Sequence, residues 1–256
     1  MLKRRIVQVG KVVIGFIISF VFLYSGWKVI ESKNETRECL ATYQELSDFV
    51  HKDSKERGKS KNETLDKEST RDLDENNFQE LKKENEDFIG WIEIEDTSVD
   101  YPVMQRNNSF YLSHGFHKEK SKYGVPFLDD RSVLKESNLL IYGHHMKDGT
   151  MFGGLEKYKN TEFCEKHKVI KWQTQNKKEE FEIFGVCEVD TEINNTLFQK
   201  ILDGKNVLSQ KLLKDNCIYL YYYDDKAYQL NSKIIVLITC EYATLNGRLL
   251  VVASKK

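Results

Sequence analysis

The chain is poor in proline and has almost no net charge, and each of these deficits excludes a class of protein. Two prolines among 256 residues exclude a proline-rich or collagen-like design. The 39 basic and 40 acidic side chains give a formal net charge of -1, so the chain as a whole has no bias towards a nucleic acid partner. Neither a Gly-x-Gly-x-x-Gly nor a Gly-x-x-x-x-Gly-Lys-Ser/Thr segment occurs. Nothing in the sequence therefore indicates a nucleotide cofactor.

The five cysteines lack the short paired spacings of a zinc site or of a disulfide-rich scaffold. Because their number is odd, at least one thiol is left unpaired. A free cysteine in an apolar, strand-like segment is usually a small buried hydrophobic residue, and this applies to two of the five. The five are Cys39, Cys164, Cys187, Cys217 and Cys240, of which Cys187 and Cys217 lie in such segments.

The apolar residues of the chain are unevenly distributed. The first concentration of them is an apolar run near the N-terminus. An apolar run that contains Ser19 and Ser25 spans residues 12–27, two further apolar residues follow Lys28, and four basic residues precede the run. No small-residue cleavage site follows it, so the pattern predicts an uncleaved signal anchor rather than a removed signal peptide. The positive-inside rule then predicts a single-pass membrane protein, with a cytoplasmic basic tip and span at 1–30 and the rest outside.

A helical, polar tether is predicted next, at residues 31–76. Apolar residues from Glu31 to about Val50 have helical spacing, whereas residues 51–74 contain almost no large apolar side chain. A helix restarts near Asn77, with Glu80 three residues later as in a capping box. The catalytic or binding domain is therefore predicted at 77–256.

Short strands dominate this C-terminal part and predict a mostly β fold. About eight strands, separated by loops and by one helix-like insert around residues 197–213, indicate a mostly antiparallel barrel or sandwich. The 12% aromatic content of the chain suits such a core. The predicted strands are 91–95, 99–103, 138–142, 169–172, 181–189, 218–223, 234–239 and 248–253.

A chemically meaningful group of residues lies at the ends of these strands. Cys240 follows one apolar strand and Arg248 opens the next, so antiparallel pairing would place the two residues opposite each other. A guanidinium beside a thiol favours the thiolate and can also donate hydrogen bonds to an oxyanion. His144 and His145 follow another buried strand and offer a partner for proton transfer. Together they predict a nucleophile, an acid/base and an oxyanion donor on one rim.

At these residues the sequence resembles the class B sortases, the membrane-anchored cysteine transpeptidases of Gram-positive surfaces. The matching segments occur in order along nearly the whole chain, and the last two are the most specific. They are Gly90-Trp91-Ile92, Asp100-Tyr-Pro-Val103, Phe110-Tyr-Leu112, Phe127-Leu-Asp-Asp-Arg131, Tyr142-Gly-His-His-Met-Lys-Asp-Gly-Thr-Met-Phe152, and Thr239-Cys240-Glu241 with Arg248. The resemblance implies a closed β-barrel of about eight strands with N-terminal helices and a helix-containing insert before the last strands.

The resemblance also implies a role for each of several residues. Cys240 would be the nucleophile, His144 rather than His145 the acid/base, and Arg248 the oxyanion stabiliser. The enzyme would cleave an Asn/Ser-Pro-x-Thr type sorting motif of a surface protein after Thr and transfer the protein to an amine of a peptidoglycan precursor, without a metal or cofactor. One departure is Ile238, where many relatives carry Ser. The implied substrate-binding residues are Asn108, Leu112, Tyr142, Thr239 and Glu241.

Two other classes of function compete with this interpretation. His114 and His117 have i, i+3 spacing, and His144 and His145 are also available, which would fit a zinc-dependent extracellular hydrolase. However, the first pair lies in loop-like sequence and no His-Glu-x-x-His segment is present. The second alternative is a membrane-tethered module that binds peptide without catalysis. Such a module would tolerate replacement of Cys240 by Ala.

Overall fold

A computed structural model describes residues 2–57, 75–134, 138–191, 197, 201, 210–230, 232–240 and 246–256, with side chains described from residue 15 and not at 52–57. The chain divides into two compact units, Met1–Glu45 and Leu46–Lys256. The helices are α1 (Leu2–Arg57), α2 (Glu75–Glu84), α3 (Thr161–Lys166) and α4 (Gln210–Asn216), with 3₁₀ helices at Phe110–Leu112 and Phe152–Lys159. The strands are β1 (Phe88–Glu93), β2 (Asp100–Met104), β3 (Phe127–Leu128), β4 (Leu139–Tyr142), β5 (Val169–Thr174), β6 (Lys177–Asp190), β7 (Tyr219–Tyr223), β8 (Ile234–Cys240) and β9 (Gly247–Lys255).

Helix α1 includes the segment from Glu31 to about Val50, whose apolar residues have helical spacing in the sequence. It also includes the predicted membrane anchor. Within the described part of the chain, no helix has a stretch both long and apolar enough to cross a membrane. The structure therefore does not support the predicted single-pass anchor.

The end of α1 from Leu46 onward belongs to the same unit as the strands. Leu46 and Val50 are buried, and the Ser47 hydroxyl donates a hydrogen bond of 2.5 Å to Asp100 Oδ2 on β2. Helix α2 packs its apolar side through Phe78 and Leu81, and begins two residues before the predicted restart. Of the predicted tether, residues 58–74 lie outside the described residues.

The nine strands of the described residues form a sheet that closes on itself. Its order is β5-β1-β2-β3-β4-β8-β9-β6-β7, and β5 also pairs with β6. This extra pairing joins eight strands in a ring and leaves β7 attached outside it, along β6. The predicted mostly β, closed barrel of about eight strands is confirmed, and the sandwich alternative is excluded. Two pairings are parallel, β2 with β3 and β4 with β8.

Side-chain alternation along β8 and β9 directs one face of these strands into a large apolar cluster. Ile234, Val236 and Ile238 belong to this cluster, and Ile238 pairs with Leu250 of β9 in the same cluster. Leu197, Ile201 and Leu213 also contribute, and Leu213 lies on α4, which confirms a helix-containing insert between β6 and β7. Ile238 is therefore a core residue of this chain.

Candidate active site

Three strand ends meet at one edge of the barrel. Strands β4 and β8 are parallel, with Tyr142 opposite Ile238, so their C-terminal ends lie side by side. Strand β9 is antiparallel to β8, which brings its first residues to the same edge. The loop after β4, the end of β8 and the start of β9 therefore share this edge. The fold thus brings together the segments that carry the histidines, the cysteine and the arginine singled out in the sequence.

Cys240 and Arg248 are direct partners across the β8–β9 ladder. Residues directly opposite in an antiparallel pair have Cβ atoms about 5 Å apart and point to the same face. Ile238 and Leu250 lie on the same face of β8 and β9 and belong to the apolar cluster. The thiol and the guanidinium therefore lie at the end of that cluster. Both residues are partly exposed, and Arg248 Nη1 donates a hydrogen bond of 2.8 Å to the Gly247 carbonyl.

The two histidines after β4 make different contacts with backbone carbonyls. Nε2 of His144 lies 2.6 Å from the Leu112 carbonyl oxygen, and Nδ1 of His145 lies 2.6 Å from the Cys240 carbonyl oxygen. A carbonyl oxygen only accepts, so each of these nitrogens carries the hydrogen. In a neutral ring the basic nitrogen is then Nδ1 for His144 and Nε2 for His145. His145 thus contacts the backbone of the cysteine, whereas His144 contacts the 3₁₀ helix Phe110–Leu112.

The histidine loop, residues 143–152, is held to β8 by two hydrogen bonds to the backbone of Gly143. The Gly143 N–H donates to the Ile238 carbonyl at 3.0 Å, and the Thr239 hydroxyl donates to the Gly143 carbonyl at 2.9 Å. A Cβ atom on Gly143 would lie 2.6 Å from the ring of Phe152, closer than real Cβ contacts come. The loop can therefore pass this ring only with glycine at position 143.

Comparison with known protein families shows which family this chain belongs to. Residues 92–256 match the Sortase domain. The chain belongs to the sortase family. Sortase B of Listeria monocytogenes is 31% identical over 229 residues, covering 86% of this chain and 85% of that protein. Sortase B of Staphylococcus aureus is 29% identical over 249 residues, covering 94% of each.

Solved structures agree with the sequence comparison. A Staphylococcus aureus sortase B-substrate complex has a TM-score of 0.68 to this chain at 27% identity, covering 87% of this chain and 98% of that one. Together these similarities identify a class B sortase, as the sequence motifs predicted. Sortases are cysteine transpeptidases, so this protein is an enzyme of that type.

The implied substrate-binding residues of the sortase lie on several elements. Leu112 is 41% exposed, and Tyr142 is partly exposed at the end of β4. Asn108 is fixed by Asp130, whose N–H donates to Asn108 Oδ1 at 2.8 Å. Thr239 is 1% exposed and its hydroxyl is engaged with Gly143, so a direct contact between this side chain and a peptide stays a prediction. Glu241 lies outside the described residues.

A buried carboxylate next to the site was not singled out by the sequence analysis, although it lies in one of the matched segments. Asp129 is fully buried, and its oxygens accept hydrogen bonds from Arg131 Nε and Nη2, each at 2.8 Å, and from the Tyr142 hydroxyl at 3.0 Å. Burial raises the pKa of Asp129, but the hydrogen bonds from Arg131 and Tyr142 outweigh it and hold the pKa below its ordinary value. Burial and the Asp129 charge raise the pKa of Tyr142, so its phenol stays protonated.

The histidines of the zinc alternative are engaged separately. His114 Nδ1 lies 2.9 Å from the Phe110 carbonyl, and its ring stacks on that of Phe110 with centroids 4.1 Å apart. His117 Nδ1 lies 3.8 Å from Glu84 Oε2. Among the described residues, no group of three or more His, Cys, Asp or Glu side chains is arranged to hold a metal ion. No observation therefore favours a zinc hydrolase.

Proposed function

We propose that this sortase cleaves an Asn/Ser-Pro-x-Thr type sorting motif after Thr and transfers the surface protein to an amine of a peptidoglycan precursor. The observation that carries the proposal is the pairing of Cys240 with Arg248 at the barrel edge, beside the histidine loop. The resemblance of the matched segments supports the substrate class. The similarity to a Staphylococcus aureus sortase B captured with substrate supports binding of a sorting-signal peptide.

In the first half-reaction the Cys240 thiolate attacks the carbonyl carbon of the Thr. The carbonyl π electrons move to oxygen, and the guanidinium of Arg248 stabilises the resulting oxyanion. The tetrahedral intermediate collapses, the bond from carbon to nitrogen breaks, and His144 protonates the departing amine. The products are a thioester of Cys240 and the released C-terminal fragment.

In the second half-reaction the amine of the cell-wall precursor attacks the thioester carbonyl. His144 accepts the proton of the attacking amine, and Arg248 again stabilises the oxyanion. Collapse of this intermediate breaks the bond from carbon to sulfur and regenerates the Cys240 thiolate. The surface protein is then joined to the precursor by an amide bond, and water in place of the amine gives hydrolysis as a side reaction.

A fluorogenic peptide with an Asn-Pro-x-Thr or Ser-Pro-x-Thr core tests this proposal. We expect cleavage after Thr by the wild type, none by Cys240→Ala, and inhibition by a methanethiosulfonate reagent that caps Cys240. Cys187→Ala is the matched control, because Cys187 is a buried thiol of the apolar cluster. Full activity of Cys240→Ala, or loss of activity in both variants alike, would contradict the assignment of the nucleophile.

The cellular location is proposed on the family and the sequence alone. The family suggests a role at the cell surface. The basic residues and apolar run at 1–30 motivate an N-terminal anchor, for which the structure gives no support. Fractionation of cells expressing the full chain, compared with a chain lacking residues 1–30, tests this. Recovery of both proteins in the soluble fraction would contradict an anchor.

A further inference from the structure

The carboxylate of Asp129 has all of its acceptor positions occupied. A carboxylate offers about four lone-pair sites on two oxygens. Oδ1 accepts from the Arg131 backbone N–H at 2.9 Å and from Arg131 Nε at 2.8 Å. Oδ2 accepts from Arg131 Nη2 at 2.8 Å and from the Tyr142 hydroxyl at 3.0 Å. A fully buried carboxylate that accepts four hydrogen bonds has no acceptor position left for substrate.

The ring of Tyr142 is held at two points by the segment that carries Asp129. The ring stacks on Phe127, with centroids 5.4 Å apart and planes 24° from parallel, and its hydroxyl is tied to Asp129. Phe127 and Tyr142 are also backbone partners across β3 and β4. Because Tyr142 directly precedes the histidine loop, this clamp fixes the last side chain of β4 at the barrel edge.

The next residue of the same segment holds a second implied groove residue. Asn108 Nδ2 donates to Asp130 Oδ1 at 3.1 Å, and the Asp130 N–H donates to Asn108 Oδ1 at 2.8 Å. The Gln105 side chain donates to the carbonyls of Asp129 and Ser132 at 3.2 and 2.9 Å, which ties the segment to the chain after β2. One short segment therefore orients two of the implied substrate-binding residues, Asn108 and Tyr142.

We propose that Asp129 is a positioning residue of this sortase, which fixes the Tyr142 phenol in the orientation that receives the sorting peptide and is itself held by the guanidinium of Arg131. This inference rests on the proposed function. It assigns to Asp129 an effect on peptide binding and none on the chemistry at Cys240. Hydrogen bonds from Arg131 and Tyr142 lower the pKa of Asp129, which favours the carboxylate, and an anion accepts the stronger hydrogen bond from the phenol.

The test compares Asp129→Asn, Tyr142→Phe and the double variant. An amide has one acceptor oxygen and an NH2 donor in place of the second oxygen, so Asn can accept at most two of the four hydrogen bonds that Asp129 accepts, and its NH2 group faces a donor of Arg131 or the phenol. We expect each single variant to raise KM for the fluorogenic peptide about tenfold, which is equivalent to about 1.4 kcal/mol of lost binding. We expect kcat to stay within about twofold of wild type. If Asp129 acts through the phenol, the double variant has the KM of Tyr142→Phe alone.

Two further measurements separate positioning from a general effect on folding. The rate at which a methanethiosulfonate caps Cys240 is expected to be unchanged in all three variants. Asp224→Asn is the matched control, because Asp224 also accepts from a cation and a tyrosine, Lys168 at 2.9 Å and Tyr222 at 3.4 Å, on another part of the barrel. We expect this control to keep the wild-type KM.

Specific results would overturn the inference. One is an additive effect of the two substitutions on KM, and another is a fall in kcat at constant KM. The third is an unchanged KM in Tyr142→Phe. This substitution removes one oxygen atom only, so it still tests the inference if Asp129→Asn does not fold. A wild type that cleaves no sorting peptide would instead overturn the proposed function, and this inference with it. Cleavage by the wild type with unaffected variants overturns the inference alone.

Discussion

The guanidinium of Arg248 can act on Cys240 in two physically different ways. It can favour the thiolate by charge alone, or it can direct hydrogen bonds to the oxyanion through its planar fork. The structure places Arg248 directly across from Cys240 and binds one fork nitrogen, Nη1, to the Gly247 carbonyl. This contact orients the plane of the guanidinium, which a lysine ammonium cannot reproduce. The arrangement therefore favours a directed oxyanion donor.

We expect Arg248→Lys and Arg248→Ala both to lower turnover by about a hundred- to a thousandfold, the usual loss for one oxyanion donor. Peptide binding is expected to change little, because the contact forms in the transition state. The measurement is kcat and KM with the fluorogenic peptide, with Cys240 alkylation as a control for the nucleophile. Near-wild-type turnover of the Lys variant would leave Arg248 as a charge partner only.

The neighbouring histidines can be separated by substitutions that keep their carbonyl contacts. The side-chain amide of Gln places a donor near Nε2 of His144, and that of Asn places one near Nδ1 of His145. His144→Gln can still donate to the Leu112 carbonyl but cannot transfer a proton, so we expect kcat/KM to fall about 10²- to 10⁴-fold. His145→Asn can still donate to the Cys240 carbonyl and is expected to stay within a few-fold of wild type. The opposite ranking in the peptide assay would make His145 the acid/base.

At the scale of single elements, strands with a clear apolar pattern could be predicted from the sequence, and those without one could not. The prediction for 234–239 differs from β8 by one residue, because six consecutive apolar and β-branched residues leave no other choice. Strand β3 was missed because two residues carry no periodicity. The charged start of β6, from Lys177, was also missed. It pairs with β5 where its side chains are largely exposed, so tertiary pairing rather than local pattern makes it a strand.

The residues of the candidate site also divide into those that could be predicted from the sequence and those that could not. The meeting of Cys240 and Arg248 follows from two apolar strands that are separated by only a few residues, which the sequence displays. The contact of Asp129 with Tyr142 links residues that are 13 apart through the β3–β4 pairing, and no local pattern reports it. Sequence reasoning therefore found the residues at strand ends and missed the buried carboxylate behind them.

The histidine loop offers a prediction at the element scale. Gly143→Ala would place a methyl group 2.6 Å from the buried Phe152 ring, which has no exposed space into which to move. We expect a loss of about 1–3 kcal/mol of stability from overpacking, together with lower activity because the displaced loop carries His144. Gly149→Ala is the control within the loop, since nothing lies within 4 Å of its Cβ position, although its φ of +82° adds strain. Thermal unfolding and peptide cleavage measure both effects, and an unchanged Gly143→Ala protein would contradict the packing argument.

At the scale of the whole molecule, the folded catalytic unit is larger than the predicted domain at 77–256. The compact unit begins at Leu46, and the last turns of α1 in this unit contribute Val50, which is 1% exposed. Ser47 and His51 both contact Asp100 on β2, and Trp91 Nε1 donates to the same carboxylate at 2.7 Å. The Asn77 amide of α2 donates to the Phe49 carbonyl at 3.2 Å. Part of the predicted tether therefore packs against the barrel and supports it.

Two truncations test this boundary. A chain that starts at residue 31 keeps every contact of the Leu46–Lys256 unit, so we expect it to fold and to cleave peptide like the full chain. A chain that starts at residue 52 lacks Ser47, Val50 and His51. Loss of one buried aliphatic side chain costs about 1.5–3 kcal/mol, and the exposed apolar surface it leaves on the barrel adds to this. We therefore expect the shorter chain to have a lower urea midpoint and a tendency to aggregate. Equal midpoints for the two truncations would show that these turns of α1 do not stabilise the catalytic unit, and would return its start to residue 77.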